Sequence, residues 1–219
     1  MLNNMYDHDY YEKGVESGKS LYSNFRWMPE LTIPMCAEIM FKLEITENQS
    51  ILDFGCAKGY VVKAFRLLHR QAYGVDISKY AIQCAPRDVE NYIKLIDDTD
   101  KIPLIHKNKK YDWVIAKDVF EHIDYNSIDC VLKNIREACD NILVVVPLGD
   151  GKTYNVPSYE LDKTHIIRED LSWWHNKLST SGFNVSHSSY EFGHIKENWS
   201  TFKESNGFFV CEQHCGVKI

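Results

Sequence analysis

The sequence has no run of about 18 apolar residues, so no stretch of it reads as membrane-spanning. It has no C-x-x-C pair either. Its seven cysteines, an odd number, are scattered, with Cys36, Cys56, Cys84, Cys130 and Cys139 in apolar contexts. That pattern excludes a disulfide framework and predicts reduced thiols in a cytoplasmic protein. Cys211-Glu212-Gln213-His214-Cys215 matches no zinc spacing. Excess positive charge is missing too: 25 Lys and Arg against 31 Asp and Glu leave a net charge of -6, which argues against nucleic acid as a partner. The first ten residues are polar and acidic, unlike a secretory leader. No repeat or linker divides the chain, and 219 residues at 44% hydrophobic suffice for one globular unit with a full core.

What is present centres on Ile51-Leu52-Asp53-Phe54-Gly55-Cys56-Ala57-Lys58-Gly59-Tyr60. The branched apolar pair reads as the end of a buried strand, and the two glycines as a turn where backbone must come close to a ligand. Val61, Val62, Ala64, Phe65, Leu67 and Leu68 then recur at helical spacing. A strand, a glycine turn and a helix N-terminus together make a nucleotide-type cofactor site.

Strands and helices alternate from there. The patterning predicts strands over 51–54, 72–75, 92–96, 111–116 and 142–146, helices over 57–69, 79–84, 127–139 and 168–180, and a closing strand pair over 183–190 and 207–211. The 142–146 run is almost wholly β-branched, as in a central strand covered on both faces. Such alternation implies a Rossmann-like α/β fold with a doubly wound parallel sheet. Residues 1–49 differ in character from residues 50–219. They are rich in Tyr, Phe and Trp and carry a helix over 33–43, with Thr32 as cap and Pro34 in its first turn. This segment is expected to cap the C-terminal edge of the sheet, with Tyr11, Arg26 and Trp27 towards substrate.

Asp76 ends the second strand about twenty positions after the glycine turn, the place of a ribose-binding acid. A dinucleotide fold wants G-x-G-x-x-G, but Ala57 stands two after Gly55. Asp53, just before the turn, would repel a pyrophosphate and attract an ammonium group. The pattern favours a cofactor with a ribose and an amino group.

These residues resemble the first motif (51–60) and the ribose acid (Asp76) of class I S-adenosylmethionine-dependent methyltransferases. Asp98, ahead of Ile102-Pro103-Leu104, is similar to the family's adenine-binding aspartate, and Gly182-Phe183 to the "GF" before its sixth strand. The resemblance implies a seven-stranded sheet with the last strand antiparallel. It also implies a cofactor site built of Asp53, Gly55, Cys56, Ala57, Gly59, Asp76, Ile77, Asp98 and Lys117.

Asp118, Glu121 and His122 follow the fourth strand, and His165 follows the fifth. His122 and His165 are the candidate proton acceptors, with the pKa of His122 set by Glu121. Asp118, Glu121, His122 and His165 also resemble the E-x-x-E-H plus distant His metal site of some family members, which implies a divalent ion such as Mg. The polar loop over 147–164 suits a substrate lid, and His194 and Trp199 are further candidates for a pocket wall. The implied activity is in-line transfer of the sulfonium methyl to a small polar acceptor, first a hydroxyl oxygen. Nitrogen, carboxylate and RNA 2′-hydroxyl acceptors remain open, as does a non-catalytic cofactor-binding module.

Overall fold

A computed structural model describes residues 5–97, 101–104, 109–196 and 201–212. Seven strands form one sheet: β1 (Ser50–Phe54), β2 (Gln71–Asp76), β3 (Ile93–Leu95), β4 (Tyr111–Lys117), β5 (Cys139–Pro147), β6 (Asn184–Ser189) and β7 (Asn206–Glu212). Their order is β3-β2-β1-β4-β5-β7-β6. β7 runs antiparallel to both its neighbours, and the other pairings are parallel. The order reverses between β1 and β4, so the crevice beyond their C-terminal ends is the place for a ligand.

Alternation along the strands divides the core. Val144 and Val146 face α6 (Ile128–Ala138) and α7 (Leu171–Thr180), joined by Leu52, Val114, Leu132, Ile135 and Trp174. Leu143 and Val145 face the other way, with Ile51, Trp113, Ile115, Val62 and Phe65, under α3 (Pro29–Lys42) and α4 (Tyr60–Leu67). Every residue of β5 from Ile142 to Pro147 is buried, as its β-branched run predicts for a strand covered on both faces. Among the described residues no helix is long and apolar enough to cross a membrane.

Several boundaries depart from the sequence expectation for local reasons. The helix expected from residue 57 begins at Tyr60, because Gly55, Ala57 and Gly59 all take positive φ (79°, 48° and 76°) and form a loop instead. The helix expected from residue 33 begins at Pro29, a proline suited to the first helical position. Thr32 is then inside the helix, its hydroxyl donating to the Met28 carbonyl at 3.0 Å rather than capping. Cys84 and Cys130 are exposed rather than apolar, one just past α5 (Lys79–Gln83) and the other on the outer face of α6. The 147–164 loop is packed around buried Tyr154, Val156 and Tyr159 and so differs from a bare polar lid.

Two short helices, α1 (His8–Glu12) and α2 (Gly14–Ser17), precede α3. Tyr6, Tyr10 and Tyr11 are buried against Ala81 of α5. Polar ties hold this segment down: Ser78 Oγ donates to the Tyr6 carbonyl at 2.6 Å, and Tyr10 OH to Asp162 Oδ2 at 2.9 Å. Lys58, from the glycine loop, pairs with Glu12 and donates to the Phe25 carbonyl at 2.7 Å.

Candidate active site

The glycine loop is shaped by what sits behind it. The amides of Gly55 and Cys56 donate to the Val75 carbonyl at 2.9 and 3.0 Å, which locks the loop to the end of β2. Asp76 then takes hold of it from the side. Its Oδ2 accepts from Ala57 N at 2.7 Å and its Oδ1 from Ser78 N at 2.6 Å. Gly55 admits the neighbouring turn, because a Cβ there would lie 2.5 Å from Val119 Cγ2. The Cys56 side chain packs on Gly74, and burial pushes its thiol well up, so it is an inert wall.

Two cavities open on either side of this loop and share Tyr22, Gly55, Ala57 and Asp118. The first is lined by Tyr6, Tyr10, Tyr11, Asp76, Ile77 and His122, the second by Arg26, Asp53, Cys56, Lys117, His194 and Lys196. Gly59 lines neither and serves the turn. Trp27 also lines neither: its ring tilts on Tyr60 with Lys63 above it at 5.3 Å, so the α4 surface holds it away from both cavities. Asp98 and Trp199 lie outside the described residues.

The carboxyls differ in their protonation. Asp53 is 6% exposed. Burial pushes it up to about 7, helped by Asp76 and opposed by Lys117. Asp76 is pushed up to about 6 by burial, against its backbone hydrogen bonds. Asp118 goes the other way. Burial opposes its charge, but Lys117 and Lys196 outweigh that and hold it well below the usual carboxylate range. Its Oδ2 lies 2.5 Å from Lys117 Nζ and its Oδ1 2.5 Å from Lys196 Nζ.

His122 and His165 face each other, ring centroids 4.7 Å apart. The tautomer of each follows from its partner. His165 Nδ1 lies 2.9 Å from the Tyr159 carbonyl, which only accepts, so Nδ1 carries the proton. His122 Nδ1 lies 2.8 Å from Thr164 Oγ1, whose own proton goes to Asp162 Oδ1 at 2.6 Å, so Nδ1 donates here as well. Both Nε2 atoms are left bare. Burial, then the neighbouring His165, lowers His122 to about 4. Burial with His165, rather than Glu121 as expected from the sequence, sets its pKa. Glu121 is itself pushed well above the carboxylate range by burial and by Asp118; it is 1% exposed and its Oε2 has no hydrogen-bond partner.

Of the four residues expected to gather round an ion, three do. Ligand atoms of Glu121, His122 and His165 lie within 4.8 Å of one another, while Asp118 is turned to its two lysines. Sequence reasoning missed Lys196 and the Asp162–Thr164 support of His122. The Asp-x-Thr-His run offered a signal for the second. A lone lysine in a polar stretch offered none for the first.

The family model for methyltransferase domains matches residues 29–195. Among solved structures, a SAM-dependent methyltransferase from Archaeoglobus fulgidus superimposes with a TM-score of 0.61 at 15% identity, over 83% of this chain and 94% of its own. A glycopeptide N-methyltransferase complexed with sinefungin does so with a TM-score of 0.58 at 12% identity, over 83% and 86%. A mitomycin 7-O-methyltransferase gives 0.58 at 15%, over 92% and 65%. At such identities the likeness shows the fold alone. No curated protein matches the sequence.

Proposed function

The chain belongs to the methyltransferase domain family, and we propose that it moves a methyl group from S-adenosylmethionine to an oxygen, first a hydroxyl, of a small polar acceptor. The observation that carries this reading is the glycine loop pinned by Asp76 at the reversal of strand order, with a cavity on each side meeting at Asp118. In this reading the first cavity takes the adenosine part. Each oxygen of Asp76 accepts one backbone N–H and keeps capacity for a ribose hydroxyl. Asp53 faces the second cavity as partner for an ammonium group. Tyr11, beside Asp76, belongs to the cofactor side, and Arg26 to the acceptor side. Residues 5–28 are the covering segment, and α3, packed on α4, belongs to the domain they cover.

Bound there, S-adenosylmethionine supplies an electrophilic methyl group, so the protein has only to align the acceptor and accept its proton. His122, which lines the first cavity, is the candidate for the second task where the two cavities meet at Asp118. Its Nε2 is bare, the ring is neutral at pH 7, and Thr164 and Asp162 fix its orientation.

A second reading, a divalent ion on Glu121, His122 and His165, is favoured by the unpartnered Glu121 Oε2 beside two bare Nε2 atoms, each ring held by its other nitrogen. Two imidazoles and one carboxylate suit a transition ion better than Mg. Such an ion would polarise the acceptor oxygen.

Calorimetric titration with S-adenosylhomocysteine tests the main reading. Micromolar binding and cofactor consumption with an acceptor are expected; a folded protein that binds none would sink it, and binding without turnover on any acceptor would leave a cofactor-binding module. Zn²⁺ or Mn²⁺ titrated into chelator-treated protein should give a heat that His165→Ala removes. No heat, with turnover indifferent to chelator, eliminates the ion.

The raised carboxyls set a pH signature. In the free protein their contribution to stability is present below the ordinary 3.8 and lost as pH rises through about 6 and 7. Cofactor binding needs the charged forms, so affinity should fall on acidification below pH about 7, by at most about tenfold per unit for each proton taken up. Asp53→Asn should remove the upper step and leave the one near 6. A flat affinity profile between pH 5 and 8 would contradict both assignments.

A further inference from the structure

We propose that the Lys117–Asp118–Lys196 cluster makes the second cavity an anion subsite for the acceptor. The methylated molecule would then carry a carboxylate, or a hydroxyl acidic enough to ionise, with Lys196 as its counter-ion. This rests on the methyltransferase reading and goes beyond it in naming the acceptor's charge.

The first ground is stoichiometry. Two ammonium groups share one carboxylate, each taking one of its oxygens at 2.5 Å. All three side chains are largely withdrawn from water, Lys196 most of all at 13% exposed. Excess charge in such a place is costly until a counter-ion meets it. An ammonium has three protons to donate, and Asp118 accepts from each lysine through a single oxygen, so both keep donors for a ligand. The Tyr159 ring lies 4.9 Å from Lys196 Nζ and orients that ammonium without neutralising it. The remaining acids of this wall are Asp53, Glu30 and Glu38: Asp53, on β1, is the one read as partner for the cofactor's ammonium group, Glu30 on α3 is exposed, and Glu38 on α3 rests where a Cβ on Gly193 would lie.

The second ground is topology. Asp76, the anchor read for the ribose, stands at the end of β2. Lys196 comes from the connection between β6 and β7, and Tyr159 from the loop after β5. These lie on the far side of the sheet's midpoint from β2. Asp53, on β1, draws the cofactor's ammonium and the carboxylate on the same carbon to the β1 side of this cavity, and Lys196, which comes from beyond β5, is the ammonium assigned to the acceptor. The ammonium would hold the attacking oxygen in its ionised form, the proton of an acidic hydroxyl having passed to water on binding.

The test uses benzoate and its neutral isostere benzamide as probes, titrated into chelator-treated protein with and without saturating S-adenosylhomocysteine. Benzoate should bind about tenfold or more tighter than benzamide, the effect of a charge-assisted hydrogen bond. Lys196→Gln should erase that preference and Lys196→Arg retain it. Asp118→Asn should tighten benzoate, because it frees both ammonium groups; a merely structural role would not produce opposite signs. Equal affinity for the two probes, no benzoate binding, or a preference that survives Lys196→Gln would overturn the proposal. So would a Lys196→Gln protein whose affinity for S-adenosylhomocysteine drops as far as that for benzoate, since the lysine would then serve the cofactor. Wild-type protein that fails to bind S-adenosylhomocysteine would sink the methyltransferase reading instead, while the probe ratio still decides whether the anion subsite exists.

Discussion

Asp76→Ala is expected to weaken S-adenosylhomocysteine binding by about 100-fold, close to 3 kcal/mol, as two hydrogen bonds from ribose hydroxyls to a carboxylate disappear. The same change should move the melting temperature of the free protein little. Two terms oppose each other there. Losing the carboxylate strands the amides of Ala57 and Ser78, at about 1–3 kcal/mol each. Against that, a carboxyl pushed from 3.8 up to about 6 is an ion buried at a cost of about 3 kcal/mol at neutral pH, and the mutation removes that cost. Affinity is thus the decisive readout, and calorimetry beside a thermal melt separates the two effects. A folded Asp76→Ala protein that binds as tightly as the wild type would take Asp76 out of the site.

Gly55→Ala should be nearly as damaging, this time through the fold. The residue sits at φ +79°, where an L side chain costs about 1–2 kcal/mol. Its new methyl would meet Val119 Cγ2 at 2.5 Å and Cγ1 at 3.0 Å. Valine is stiff about χ1 and cannot swing aside, so overpacking adds about 1–3 kcal/mol. A total near 3 kcal/mol should appear in denaturant unfolding, with cofactor binding lost because the loop shifts. The Gly55→Ala, Val119→Ala pair should recover the steric part and leave the φ strain. If the double variant is no more stable than Gly55→Ala alone, contact with Val119 is not what demands glycine at this position.

The two expectations differ in how much of each the sequence could supply. Asp76 was legible because its signal is local: an acid closing an apolar run at a set distance from a glycine turn. That Gly55 demands glycine was legible as well, but the reason was not, since Val119 reaches it from the end of β4, more than sixty positions along the chain. The loop's three left-handed residues also explain why helical spacing started the next helix too early. Apolar periodicity marks the face a segment buries, whereas hydrogen bonding and φ decide where a helix begins. The same limit moved the start of α3 from the expected residue 33 to Pro29.

Side-chain direction marks the other boundary. Trp27 sits in an aromatic stretch beside residues that do line the cavities, yet it packs on Tyr60. Asp118 stands at the spacing of a metal ligand, as Asp where the pattern has Glu, and it is committed to Lys117 and to Lys196, 78 positions away. The His122 environment follows from a neighbour 43 positions on, His165, and from burial that no spacing expresses.

By itself, the sequence determined the alternation of strands and helices, the glycine loop and the acid that pins it, because each arises from short-range pattern and from backbone conformations few residues adopt; the count of seven strands and the antiparallel last one came through the family resemblance. Only the tertiary structure decided the charge balance around Asp118, the tautomers of the two histidines and the gathering of Glu121, His122 and His165 without Asp118. These depend on groups brought together from the ends of β4, the loop after β5 and the β6–β7 connection, and on the water that their packing excludes.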